Sequence, residues 1–512
     1  MLLEFISLTV VLTVFFKLCY LKYDHWRFSH LPGPPTQNFI FGNALQFRKR
    51  LMTDGAWAPY WLDMVREHGK IFRLWMMMKP LVFVADPIVL KEMVTDFKKF
   101  PKIREARGFI ARRSIGFNAQ RMYTQRFCGY DSIFTVDMGP IWKRKKKIMD
   151  PAFGIQPLTK HLCKFYDIAV SLCDAIETAQ QECLGEPVDI TDVVAPFTVD
   201  AISKAGFSAD SNQMSKLRRQ GEDAKSSEAN KKILAKAGRV LLMVLDPDTR
   251  KILVNYAESI KKIRKIGAQM IIDRTSNGEF GRVGDILDGI ISANMDEDSG
   301  KFELEESLDD FMAMYVAGNS TTSTTLLWCI GELARNPDVM DKLVNEIDGV
   351  WAGAHIDSHT DPSFIGDTLK QMPYLDAFLK EVLRVHPAVT HIKRRASRDV
   401  EIFGYKIPSQ TCVMSSQWVM QHLEQYWPDP EKFQPERFLT STPTPYTYLP
   451  FFLGPRQCIG KNFAILQLKC YLCEILGRFE IEIDPKSPLK QRSGQKLVCF
   501  PIDNSFNFKL RF

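Results

Sequence analysis

The segment from Ser307 to Arg335 starts with a capping-box-like Ser307-Leu308-Asp309-Asp310 and continues as a largely apolar run until Asn336-Pro337 stops it. At 1.5 Å per residue such a helix is about 40 Å long, and it is too apolar to lie on a surface. A chain that must bury it needs other helices packed around it, and with helical spacing over most of 140–390 and only short extended segments elsewhere the expected class is mainly α (α+β), a long central helix with small β-sheets. The 512 residues, 45% of them hydrophobic, suffice for that core within one body. The middle of the run, Ala317-Gly318-Asn319-Ser320-Thr321-Thr322-Ser323-Thr324-Thr325, is made of poor helix formers whose hydroxyls can bond back to carbonyls. A groove, bulge or packing kink is expected there.

Ahead of this body, residues 2 to 21 (LLEFISLTVVLTVFFKLCYL) are interrupted only by Glu4 and Lys17. Twenty helical residues match a hydrocarbon core of about 30 Å, and neither the basic start nor the A-x-A-like site of a cleaved signal peptide is present. Lys17, Lys22 and Arg27 flank the C-terminal side, which keeps the following body in the cytosol. Leu31-Pro32-Gly33-Pro34-Pro35 then forbids helix and reads as a stiff connector. The organisation expected is a transmembrane anchor over 1–22, a linker with a Pro-rich hinge over 23–35, and one catalytic body over 36–512. The net charge of +7 suits an acidic partner or membrane surface and does not call for nucleic acid. Eleven cysteines, an odd number scattered along a long chain, read as reduced thiols.

Strands are expected at Ile71–Trp75 and Leu81–Val84 around a turn at Lys79-Pro80, with Asp86-Pro87 opening a helix. Helical spacing covers most of 140–390, including Leu158–Ala179 and Leu253–Asp273, and extended segments return near 399–415 and 478–511. Three surface features stand out. Arg104, Arg107, Arg112, Arg113, Arg121 and Arg126 fall among apolar residues in 101–130; Val240 to Leu245 form a short apolar run; Lys143-Arg144-Lys145-Lys146-Lys147 is a basic cluster. His355 and His359 have the spacing of a zinc pair, but Ile356 stands where the general base belongs and the flanks read as loop.

The most specific chemistry lies in Phe451-Phe452-Leu453-Gly454-Pro455-Arg456-Gln457-Cys458-Ile459-Gly460-Lys461, a Gly/Pro-rich loop opening onto the helical run Asn462 to Leu476. A thiolate at Cys458 faces helix N–H groups, and the positive end of the dipole is expected to lower its pKa and hold it as an anionic ligand. Gly454 and Gly460 allow backbone to approach a flat cofactor, and Arg456 suits a carboxylate. Cys470 and Cys473, at i and i+3 of that helix, read as core.

The pattern Phe451-x-x-Gly454-x-Arg456-x-Cys458-x-Gly460 resembles the haem-thiolate loop of the cytochrome P450 superfamily. The resemblance spans Leu31 to the C-terminus and implies the fold of that superfamily, with haem b (heme) as cofactor and Cys458 as axial iron ligand. It also implies that Glu381, Arg384 and Arg437 form a buried network bracing the cysteine loop. Trp142 and Lys146 match a Trp-x-x-x-basic motif that contacts a haem propionate, with lysine in place of the more frequent arginine; Arg394 matches another propionate ligand. Ala317-Gly318-x-x-Thr321-Thr322 resembles the oxygen-binding groove, where Thr321 helps to deliver protons during dioxygen activation. The acid that usually precedes this threonine is Ser320 here. A serine passes protons but stores no negative charge near neutral pH, which implies slower or altered oxygen activation.

Within the superfamily, the motif spacing resembles the animal cholesterol 24-hydroxylase branch, implying a sterol or comparably large, apolar lipid substrate. The chain carries no dinucleotide fingerprint and no room for a flavin domain, so electrons from NADPH must arrive through a separate reductase. The basic cluster 143–147 suits that acidic partner. The expected setting is the endoplasmic reticulum membrane, with insertion of one atom of O2 into the substrate as the reaction. Two alternatives stand beside it: rearrangement of a lipid peroxide, which needs no reductase, and a haem- or lipid-binding protein without turnover.

Overall fold

A computed structural model describes residues 2–36, 38–54, 57–102, 132–184, 186–209, 247–295, 303–357, 359–483, 493–495, 499–501 and 504–511. The helices that matter here are α1 (Leu2–Arg27), α2 (Pro87–Thr95), α3 (Pro140–Met149), α4 (Leu162–Glu182), α5 (Thr191–Ala201), α6 (Pro247–Ser276), α7 (Leu304–Arg335), α8 (Pro337–Val350), α9 (Pro373–Val385) and α10 (Lys461–Arg478). The class expected from the long apolar run is the one found. Helix α7 packs against α5, α6, α8, α9 and α10, and its residues from Leu326 to Leu333 are buried without interruption.

The sheets are small. Strands β1 (Ile71–Met76), β2 (Lys79–Val84), β3 (Ile392–Arg395) and β4 (Cys412–Ser415) run in the spatial order β1-β2-β4-β3, with β2 and β4 parallel and the other neighbours antiparallel. The hairpin turn falls at Met77-Met78, where Met77 has φ 58°, rather than at Lys79-Pro80. Pro80 pairs with Trp75 outside the three-residue ladder that joins β2 to β4, a strand-end position that tolerates its missing N–H. A three-stranded sheet joins Val188–Asp189, Ser505–Leu510 and Phe479–Ile483.

Asp86 caps α2 as expected, accepting from the N–H groups of Ile88 and Val89. The start of α7 differs from expectation. The helix begins at Leu304 with Glu303 as its cap residue, and Ser307 is buried one turn inside. Glu305 and Glu306 occupy the dipole-favoured first turn, while Asp309 and Asp310 are drawn to Arg264 and Lys145 instead of capping. The hydroxyl-rich middle does not break the helix, which is continuous from Leu304 to Arg335.

The apolar core forms two clusters, one among the helices and one on the β1–β4 sheet. The cysteine loop joins them: Phe452 and Leu453 pack on the sheet cluster, Ile459 and Phe463 on the helical one. Among the described residues no helix is long and apolar enough to cross a membrane. The arginines between 104 and 126 and the run Val240–Leu245 lie outside the described residues.

Candidate functional site

The loop before α10 is held by its own backbone. The Cys458 N–H donates to the Phe451 carbonyl at 3.0 Å and the Gln457 N–H to the Gly454 carbonyl at 3.0 Å. Gly454 has φ +75°, and a Cβ there would stand 2.7 Å from the Val94 carbonyl oxygen. Its glycine therefore serves the close approach of α2. A Cβ at Gly460 would meet no protein atom within 4 Å, so the room beside Cys458 is on that side.

Cys458 is exposed to solvent, and the protein around it pushes its thiol above the ordinary value by desolvation. The Gly460 N–H donated to the sulfur and the charges of Lys146 and Lys461 pull the other way without prevailing. In the protein chain alone, desolvation outweighs the helix N-terminus and these two cations at this thiol.

Two arginines flank this loop. Arg456 donates through Nη1 to the Ile133 carbonyl at 2.8 Å and through Nη2 to the Val136 carbonyl, and its Cζ stands 4.5 Å from the centre of the Trp142 ring. Arg394, on β3, donates to the Lys393 carbonyl at 3.0 Å and lies over Phe97. Among the described residues neither guanidinium has a carboxylate within ion-pair distance, and the Nε of each is buried without a hydrogen-bond partner. Burial pushes both down to about 10, and Arg394 adds to the shift at Arg456, with Asp137 offsetting part of it. Both therefore stay charged at neutral pH. Two cations without a carboxylate at ion-pair distance, one buried and one half-buried, are costly unless an anion joins them. A flat dianion such as haem, bound beside Cys458 and Gly460, fits this set.

Lys146 is placed differently from expectation. It pairs with Asp150 one turn along α3, so its influence on the site is the charge felt at Cys458. The lysine that turns inward is Lys145, fully buried, with Nζ 2.8 Å from Asp310 and 3.5 Å from Glu306. Its burial was visible in the spacing: Trp142, Lys145 and Met149, at i, i+3 and i+7, are the buried face of α3. Lys143 and Lys147 are exposed.

On α7 the burial opens at Val316–Gly318 and again at Ser320 and Thr321. Ala317 is exposed, and Thr321, one turn on, donates to the Ala317 carbonyl at 2.7 Å. Ser320 donates likewise to the Val316 carbonyl at 2.9 Å. Gly318 turns elsewhere: the space its missing Cβ leaves is taken by Ile202, whose side chain would stand 3.1 Å from an added methyl. On that side it packs α7 against the short helical segment Ile202–Gly206 that follows α5. Asn319 is buried and accepts from Thr198 of α5 at 2.8 Å.

Glu381, Arg384 and Arg437 come together. Arg384 meets the Glu381 carboxylate with Nε at 2.8 Å and Nη2 at 2.9 Å, and Arg437 Nε donates to Oε1 at 3.0 Å. The guanidiniums also reach the carbonyls of Gln421, Lys432 and Pro428. Cys470 and Cys473 are buried core, and His355 lies in a loop with φ 47°.

A mainly helical body with a cysteine loop at a helix N-terminus, and a long buried helix opened at a threonine, defines a haem-thiolate class of protein. The family model for cytochrome P450 matches residues 32–508, and the chain belongs to that family. Among its relatives, cytochrome P450 3A16 of Mus musculus is 26% identical over 97% of this chain and 94% of its own length. Cytochrome P450 3A7 of Homo sapiens is 28% identical over 91% and 89%. The fold matches the crystal structure of the cytochrome P450DA heme domain with TM-score 0.74, at 22% identity, over 94% of this chain and 98% of that one. The chain is a cytochrome P450 monooxygenase that uses haem iron, O2 and an electron donor.

Proposed function

We propose that this enzyme hydroxylates a large apolar lipid, with sterols the leading class, on a haem whose iron is bound by Cys458. The observation that carries the site is the pair Arg394 and Arg456, one buried and one half-buried, without a carboxylate at ion-pair distance among the described residues and flanking the Cys458 loop. Haem bound here supplies the iron that takes up and activates dioxygen. Arg456, stacked on Trp142, and Arg394 hold the propionates; Lys146 adds positive potential toward the sulfur. Phe451, through its carbonyl, fixes the Cys458 amide, and Gly460 both leaves room and donates its N–H to the sulfur. Ala317 keeps the opening small, and Thr321, whose hydroxyl donates to the Ala317 carbonyl, turns the Oγ1 lone pairs outward to accept a hydrogen bond and would hand on its own proton by turning away from that carbonyl. Ser320 relays protons without storing charge. Glu381, Arg384 and Arg437 brace the fold below.

Electrons come from NADPH through a separate reductase that docks on the exposed Lys143 and Lys147. The N-terminal residues 1–22 tether the enzyme to the endoplasmic reticulum, with residues 36–512 on the cytosolic side. In support, 2–21 are apolar by sequence, and Phe15, Phe16 and Tyr20 of α1 are exposed. The sterol class is supported by the motif spacing shared with the cholesterol 24-hydroxylase branch.

Cys458→Ala is expected to abolish the thiolate-type spectrum of the reduced carbon monoxide complex; an unchanged spectrum overturns the ligand. Spectral titration with sterols, fatty acids and other lipids assigns the substrate class, and turnover that persists without NADPH and reductase counts against the electron route.

A further inference from the structure

We propose that Asp310 is a positioning residue for Arg456, acting from α7 through the Ile133 peptide. The proposal rests on the haem reading above and adds to it the group that aims one of its arginines. Asp310 is fully buried, and its two oxygens serve separate elements. Oδ1 accepts the Ile133 N–H at 2.5 Å, and Oδ2 accepts Lys145 Nζ at 2.8 Å and Asn294 Nδ2 at 2.9 Å.

Two of the three segments so gripped touch Arg456. The other side of the Ile133 residue, its carbonyl, takes Arg456 Nη1 at 2.8 Å, and the Val136 carbonyl takes Nη2. Lys145 stands one turn from Trp142 on α3, and the Trp142 ring lies against the same guanidinium. Residues 132–136 form a turn closed by the Thr135 and Val136 N–H groups on the Ser132 carbonyl, with no sheet or helix of their own. A turn of this kind holds a guanidinium in one plane only if it is tied from outside, and Asp310 is the buried charged tie. Substituting a buried ion pair with apolar residues of similar size is often neutral for stability, so stability alone does not require a carboxylate here. What it supplies is geometry: one side chain sets the carbonyls beneath Arg456 and the ring beside it.

The test uses the haem-loaded full chain and reads transfer of ferric haem to excess apomyoglobin. Lys145→Met with Asp310→Leu removes the charges and the acceptor for Ile133; haem loss is expected to accelerate about tenfold, the low end of the effect of groups that orient ligands from behind. Lys145→Gln with Asp310→Asn keeps an acceptor at the Ile133 amide and is expected to restore the parent rate. In an Arg456→Leu background the first pair is expected to add nothing, because its effect passes through that guanidinium. An unchanged rate in the first pair, or the same acceleration when Arg456 is absent, overturns the proposal. Should the first pair fail to fold, hydrogen exchange at Ile133 in the unaltered holoprotein decides: protection like that of α7 is expected, and exchange like that of an exposed turn overturns it. A parent chain that takes up no haem defeats the haem reading and this proposal together, whereas haem-bound variants indistinguishable from their parent defeat this proposal alone.

Discussion

Two pairs of arginines, each with one buried and one half-buried member, stand near the cysteine loop, and the chain treats them in opposite ways. Arg384 and Arg437 share the Glu381 carboxylate and fill their remaining N–H groups with backbone carbonyls. Arg394 and Arg456 repel one another, reach only carbonyls, and have no carboxylate among the described residues. The first pair is complete within the chain and so can only be structural. The second is incomplete without an anion from outside, which marks a binding site. Burial alone does not separate them; compensation does.

The contrast breaks most visibly at Glu381. Glu381→Gln leaves two guanidiniums facing a neutral amide, and the expected loss is about 3–5 kcal/mol, enough to unfold many domains. A urea midpoint within error of the parent, for the haem-free chain, contradicts the account of that network.

Arg394→Leu combined with Arg456→Leu is expected to act with the opposite sign on the haem-free chain. Removing uncompensated cations raises its urea midpoint, by an amount on the order of 1 kcal/mol. The same change weakens haem retention roughly 10–100-fold. A fall in the haem-free midpoint of the size seen for Glu381→Gln erases the distinction between the two pairs.

How far the sequence discloses this difference depends on what each residue needs. Local signals survive folding: the Asp86-Pro87 cap, the stop at Asn336-Pro337 and the loop running into α10 at Lys461 are short-range chemistry and appear where expected. Facing is harder to read, because it depends on which partner arrives. Lys145 and Lys146 are neighbours with the same charge, and only the phase of α3 against Asp310 decides that Lys145 is buried. Gly318 and Gly454 carry the family pattern, yet what each admits, Ile202 or the Val94 carbonyl, comes from distant segments. The thiol of Cys458 shows the same limit: a helix N-terminus is legible in sequence, but the desolvation that outweighs it is tertiary.

The complete pair also has a pH signature. His422 is buried beside it, stacked on Trp418 with Nδ1 2.7 Å from the Trp418 carbonyl oxygen. Burial, then the Arg384 charge, hold its pKa down to about 3. The unfolded chain takes up this proton near pH 6.5 and the folded chain does not until about 3, so the contribution is present above 6.5 and is lost as pH falls through that window. The slope from one such group is at most about 1.4 kcal/mol per pH unit. His422→Gln is expected to flatten the decline in urea midpoint between pH 6.5 and 5; an unaltered slope shows that His422 is not its source.

The smallest effect on stability is expected where the effect on function is direct. Among the described residues, Thr321 Oγ1 bonds the carbonyl of its own helix one turn back and no other group, a contact that adds little to an unbroken helix. Thr321→Val keeps the branched shape, and the urea midpoint is expected to move by less than about 0.5 kcal/mol. If the hydroxyl takes part in proton delivery, the variant releases more hydrogen peroxide per product formed at an unchanged substrate-binding spectrum. Thr325 serves as the control, since its hydroxyl bonds the Thr321 carbonyl in the same way but belongs to the buried stretch that follows the opening. Equal uncoupling in Thr321→Val and Thr325→Val assigns the effect to helix packing and removes Thr321 from the proton route, whereas uncoupling confined to Thr321 separates the working face of α7 from its structural one.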